Sequence, residues 1–141
     1  MEAIFGSAAL ADKSGGSVSP SSLASNKIVG LYFSAHWCPP CRGFTPVLAA
    51  AYTDLVQAGK SIQIVFVSSD KDQGSFDGYY KEMPWLALPF SERETKAKLA
   101  EKYGISGIPT LVLLDGATGE LKTKDGRGEI TSDKSLSKFL A

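Results

Sequence analysis

The chain has 141 residues, 43% of them hydrophobic, and fifteen basic side chains against fifteen acidic ones. This suits one globular domain whose core stands without staples, and the absence of net charge gives no field that favours nucleic acid or an anionic membrane surface. Apolar runs such as Ile105 to Leu114, broken by Gly107 and Pro109, are too short to span a bilayer.

Met1 to Leu10 contains Glu2 and has neither a basic stretch nor a long apolar one. It does not read as a secretory signal, and a cytoplasmic or nuclear location is expected. Asp12 to Asn26 is rich in Ser and Gly, with Val18 and Leu23 to bury. A β-hairpin is expected there, giving an N-terminal extension (1–27) ahead of a core at 28–141. Ile28 to Ser34 is almost wholly apolar and aromatic, which suits a buried central strand.

A helix is expected next, because Phe44, Val47, Leu48, Ala51, Tyr52 and Leu55 recur at three and four residues and Gly59 can end it. Pro46 removes an N–H inside it, and a kink is expected there. Ile62 to Val67 reads as a second buried strand, parallel to the first through the helical crossover. Further helices are expected over Gly74 to Lys81 and over Glu92 to Tyr103, the latter with Ala97, Leu99 and Ala100 inward and Gly104 as its cap. Met83 to Phe90, apolar with two prolines, reads as a loop packed on the core. Thr110 to Leu114 and Glu120 to Thr123 form an antiparallel pair across Asp115 to Gly119. A last helix is expected from about Asp133, capped by Thr131 or Ser132 and burying Leu136, Phe139 and Leu140.

The chemistry sits in Trp37-Cys38-Pro39-Pro40-Cys41, which holds both cysteines of the chain between a strand and a helix. The first sulfur of such a pair lies where unpaired helix N–H groups and the positive dipole end favour a thiolate. The second is one turn away, close enough to form a disulfide. A loop that short constrains little chain, so the pair is there to react and not to staple. A closed zinc site needs four ligands, and only His36 stands beside the cysteines.

Cys38 is therefore the expected nucleophile and Cys41 its partner, with no cofactor beyond the redox-active Cys38–Cys41 disulfide. Pro39 and Pro40 stiffen the link, and a proline at the first helical position costs no hydrogen bond, which assigns the helix start to Pro40. Trp37 either shields the dithiol and offers a substrate platform or packs as an ordinary aromatic. His36 is expected at the surface. Ile108-Pro109 opens a strand and leaves backbone free to pair with an extended substrate.

The runs YFSAHWCPPCRGFTPVL (Tyr32 to Leu48), MPWLALPF (Met83 to Phe90) and GIPTL (Gly107 to Leu111) together resemble the tryparedoxin and nucleoredoxin branch of the thioredoxin superfamily. The resemblance implies an α/β thioredoxin fold, a central mixed β-sheet flanked by helices. It implies an attacking thiolate at Cys38, a resolving thiol at Cys41 and a cis peptide bond at Ile108-Pro109. Trp37, Pro39, Pro40, Ile108 and Pro109 then form the substrate-binding surface.

It further implies a thiol–disulfide oxidoreductase that reduces protein disulfides, is re-reduced by an upstream thiol or reductase, and works as a monomer. Tyr32 stands where thioredoxins proper carry an acidic residue. Asp70-Lys71-Asp72 and Arg127 stand in the regions where tryparedoxins hold a cationic thiol reductant, with Lys71 in place of an expected acid. The alternative is a redox-sensitive interaction module that grips a partner without turnover. Direct peroxidase chemistry at Cys38 fits a dithiol flanked by prolines less well.

Overall fold

A computed structural model describes residues 2–6 and 8–140. A short helix α1 (Glu2–Phe5) leads into a hairpin of β1 (Leu10–Ala11) and β2 (Ser17–Val18). The expected hairpin is present, but the Ser/Gly run supplies only its turn and second strand. Asp12 makes that turn by accepting from the amides of Ser14 and Gly16. Pro20–Ser25 winds into a 3-10 turn that buries Leu23. Then follow β3 (Ile28–Ser34), α2 (Pro39–Gln57), β4 (Ile62–Ser68), α3 (Gln73–Tyr80), β5 (Leu86–Ala87), α4 (Arg93–Lys102), β6 (Thr110–Asp115) and β7 (Leu121–Thr123).

The strands form one mixed sheet in the order β2-β1-β5-β4-β3-β6-β7. β3 runs parallel to β4 and antiparallel to β6, so the chain that carries the cysteines leaves the middle of the sheet. Side chains alternate along β3. Ile28 and Tyr32 join the cluster under α2 and α3, while Val29, Leu31 and Phe33 join the cluster under α1 and α4. This is the mixed sheet flanked by helices that the motifs imply.

Several expectations change in detail. Met83 to Phe90 is more than a packed loop, since Leu86 and Ala87 pair with β4 on one side and β1 on the other. Helix α2 runs unbroken through Pro46 and buries Phe44, Leu48, Ala51, Tyr52 and Leu55, but Val47 is exposed because its row faces away from the sheet. In α4 only Leu99 is buried and Ala97 faces solvent, since a helix this charged rests on the sheet by a single row.

The expected final helix is two pieces. Helix α5 (Gly126–Ser132) is capped by Asp125, which accepts from the Gly128 amide, and it ends where a start was expected. Its two glycines hide its periodicity. Asp133 then accepts from the Ser135 and Ser137 amides, and Leu136 takes φ 47° in the turn before α6 (Ser137–Leu140). Leu136 and Leu140 are buried as expected, and Phe139 is half-buried.

Candidate active site

The site is assembled where β3 ends. The Cys38 amide donates to the Ala35 carbonyl at 3.2 Å, and the Arg42 amide to the Cys38 carbonyl at 3.1 Å, which makes Cys38 the residue that caps α2. Helix α2 begins at Pro39, one residue before the expected Pro40. Both prolines lack an N–H, so nothing is lost from the hydrogen bonding of the first turn.

Both cysteines are free thiols. Cys38 is 5% exposed and Cys41 is fully buried, so of the two cysteines only Cys38 keeps any exposed surface. The Cys38 thiol lies 3.8 Å from the Ile108 carbonyl oxygen, to which it donates. The Ile108-Pro109 peptide bond is cis. Pro109 is buried and Ile108 half-buried, while Pro39 and Pro40 are exposed beside the sulfur.

Trp37 is 54% exposed and its indole N–H donates to the Ser69 carbonyl at 2.9 Å. Its ring is thus held out over the surface and is not a core aromatic. Between it and Ile108 runs a groove of about 280 Å³ lined also by Phe33, Lys96 and Ile105. His36 is exposed, as expected, with its ring centroid 5.5 Å from that of Tyr79.

Beneath Cys41 lies a set of buried hydroxyls, of which the sequence singled out only Tyr32. Thr45 Oγ1 shares hydrogen bonds with Tyr32 Oη at 2.7 Å and Tyr79 Oη at 2.6 Å, and it donates to the Cys41 carbonyl at 3.0 Å. Tyr79 Oη meets Ser34 Oγ at 2.7 Å, and the Ser34 hydroxyl stands near enough to the Cys41 thiol to oppose the rise of its pKa. Three of these partners were within reach of pattern arguments. Tyr32 and Ser34 stand at i and i+2 on a strand, and Thr45 stands at i+4 from Cys41 on a helix. Tyr79 arrives from α3 and leaves no local signal.

Burial pushes the Cys41 thiol up to about 11, with the neighbouring Cys38 thiol adding to the effect and the Ser34 hydroxyl opposing it. Burial likewise raises Tyr32 and Tyr79 above the ordinary phenol value. Asp70 is buried and engaged within the fold, accepting from the His36 amide at 2.8 Å and from the Ser68 hydroxyl at 2.7 Å. Asp72 caps α3 through the Ser75 amide. Lys71 places its ammonium 5.9 Å from the Trp37 ring, and exposed Arg127 stands over Phe44. The acidic residues compared with a reductant site therefore have structural duties here.

A family model described as thioredoxin-like matches residues 26–121. The chain belongs to the thioredoxin-like family. It is 44% identical to the tryparedoxin of Trypanosoma brucei brucei over 124 residues, covering 88% of this chain and 85% of that protein. It is 48% identical to human nucleoredoxin over 111 residues, 79% of this chain but 25% of that protein. The chain thus spans about a quarter of the vertebrate nucleoredoxins it matches. The solved structure of tryparedoxin from Trypanosoma brucei superimposes with a TM-score of 0.90 at 41% identity, covering 98% of this chain and 95% of that one. A tryparedoxin II complexed with glutathionylspermidine superimposes with a TM-score of 0.85 at 34% identity, covering 96% and 92%. This thioredoxin-like chain thus shares its fold with redox proteins along nearly its whole length.

Proposed function

We propose that the chain reduces protein disulfides through a Cys38/Cys41 dithiol cycle. The observation that carries this reading is the pairing of a reachable sulfur with a buried one: Cys38 at the mouth of α2 beside the Ile108 carbonyl, and Cys41 one turn behind it. The Cys38 thiolate attacks one sulfur of a substrate disulfide, forming a mixed disulfide and expelling the other sulfur, which takes up a proton. Cys41 then attacks the Cys38 sulfur. The Cys38–Cys41 disulfide forms, the bond to the substrate breaks and the second substrate thiol leaves, so the substrate gains two electrons and two protons. An upstream thiol or reductase returns them.

Trp37 and the Ile108 backbone form the docking surface in this reading, flanked by Pro39, Pro40 and Pro109. The test is reduction of a generic protein disulfide with dithiothreitol as electron source, wild type against Cys38→Ser, at several pH values. Turnover that vanishes in the variant supports the cycle. Equal background rates in both overturn it and turn the search to partners held without turnover.

A further inference from the structure

Thiol resolution requires an ionised Cys41, yet burial opposes its charge and no carboxylate among the described residues bonds to it. Four hydroxyls do surround it. The geometry points to a role for them: Ser34 donates a hydrogen bond to the resolving sulfur, and Tyr79 is a positioning residue that orients Ser34, the file Tyr32–Thr45–Tyr79–Ser34 turning its hydrogens toward Cys41 as that sulfur ionises. This rests on the resolving role given to Cys41 above.

Each hydroxyl carries one hydrogen and can accept another, so the file has two directions. With Cys41 as a thiol, the Thr45 hydrogen is free to satisfy the Cys41 carbonyl. With Cys41 as a thiolate, Tyr32 can donate to Thr45, Thr45 to Tyr79, Tyr79 to Ser34 and Ser34 to the sulfur. Aligned hydroxyls polarise one another, and bonds to an ionised acceptor are the strong ones. All four residues are buried, so water does not compete.

The tyrosines act as donors and not as bases, because burial keeps both protonated beyond the ordinary phenol range. The proton leaving Cys41 therefore goes to water or to the departing substrate thiolate. Net, Cys41–SH and the mixed disulfide Cys38–S–S–R give the Cys38–Cys41 disulfide and R–SH. The other titratable groups around the file are His36, whose ring packs on Tyr79, and Asp72, which lines a pocket with both. Asp70 is taken up by His36 and Ser68, and Arg42 and Arg127 are exposed on α2 and α5.

The experiment mixes reduced protein with 5,5′-dithiobis(2-nitrobenzoate) in a stopped-flow instrument. Attack by Cys38 releases a first thionitrobenzoate in a phase that depends on reagent concentration. Attack by Cys41 releases a second in a phase that does not. The pH midpoint of the second phase is compared among wild type, Tyr79→Phe and Ser34→Ala, with Cys41→Ser as the variant that lacks it.

The midpoint is expected to rise by about one unit in Tyr79→Phe and by more in Ser34→Ala, each unit being about tenfold in rate below the midpoint. Tyr79→Phe keeps the ring, so it carries the test should Ser34→Ala fail to fold. An unchanged midpoint in Tyr79→Phe overturns the assignment while leaving the dithiol cycle intact. A wild type with no second phase instead removes the resolving role of Cys41, and this inference with it.

Discussion

The indole N–H of Trp37 donates to the carbonyl oxygen of Ser69, tying the loop after β3 to the end of β4 at 2.9 Å. The bond fixes a large exposed ring at the rim of the groove lined also by Ile108, whose carbonyl meets the Cys38 thiol. A ring that is 54% exposed contributes little to the core, which suits the docking role proposed for it. Trp37→Ala is expected to shift stability by no more than about 0.5 kcal/mol and to lower kcat/KM on a protein disulfide about tenfold, mainly through KM. Trp37→Phe, which keeps a ring but loses the tether to Ser69, should fall between. Unchanged kcat/KM in Trp37→Ala would remove the ring from the docking surface.

The burial difference between the two sulfurs gives a second prediction. Only Cys38 keeps any exposed surface, so in the proposed cycle a substrate disulfide is opened there and released by Cys41. In Cys41→Ser the mixed disulfide has no internal thiol to break it and should accumulate, visible as an adduct by intact mass and lost on adding dithiothreitol. Cys38→Ser should give no adduct, because its remaining sulfur is fully buried. Equal adduct yields in the two variants would mean that the order of attack is wrong.

The third concerns alkaline stability of the dithiol form. Burial holds the Cys41 thiol at about 11, above its ordinary 9.0, so between those values the folded chain binds more protons than the unfolded one. Stability then falls as pH rises. The contribution is complete below about pH 9 and is lost as pH climbs through 11. Tyr32, Tyr79 and Tyr80, also raised by burial, act in the same direction from their ordinary value of 10.0 upward. Urea midpoints under reductant should be level near neutrality and decline above about pH 9, whereas in Cys41→Ala the decline should begin about a unit later. A level profile to pH 11 in the wild type would contradict the burial assigned to Cys41.

Much of this was legible in the chain because the signals are local. The apolar run Ile28 to Ser34, the three-and-four spacing from Phe44 to Leu55 and the Cys-x-x-Cys between them define a strand, a helix and the mouth where they meet. What was not legible depends on distant contacts. β5 is two residues long and exists only because β4 and β1 flank it. Helix α5 contains two glycines that its packing requires: a Cβ on Gly126 would stand 2.7 Å from Leu111, and one on Gly128 would meet the capping Asp125 at 2.3 Å. Those glycines erase the periodicity by which a helix is recognised. Three of the four hydroxyls in the file were visible, since Tyr32, Ser34 and Thr45 obey strand and helix spacing, but Tyr79, which joins Thr45 to Ser34, is 45 residues from Ser34.

Asp70 supplies the last prediction. It lies in a segment that the resemblance associates with a reductant, yet its carboxylate is inside the protein, one oxygen on the His36 amide and the other on the Ser68 hydroxyl. The Ser68 carbonyl in turn accepts from Arg93, which also donates to the Phe90 carbonyl. Asp70 therefore links the loop that carries Trp37 to the ends of β4 and α4. Hydrogen bonds to a charged group in such a place are worth about 1.5–3 kcal/mol, and removing the acceptor leaves a poorly hydrated donor behind. Asp70→Ala is expected to lose about 2–3 kcal/mol of stability by urea denaturation and to slow reaction of Cys38 with disulfides, because the loop before it loosens. Asp70→Asn keeps an oxygen for the His36 amide and should recover most of both. A ligand-binding role would give the opposite pattern: Asp70→Ala as stable as wild type, with a raised KM for the reductant alone.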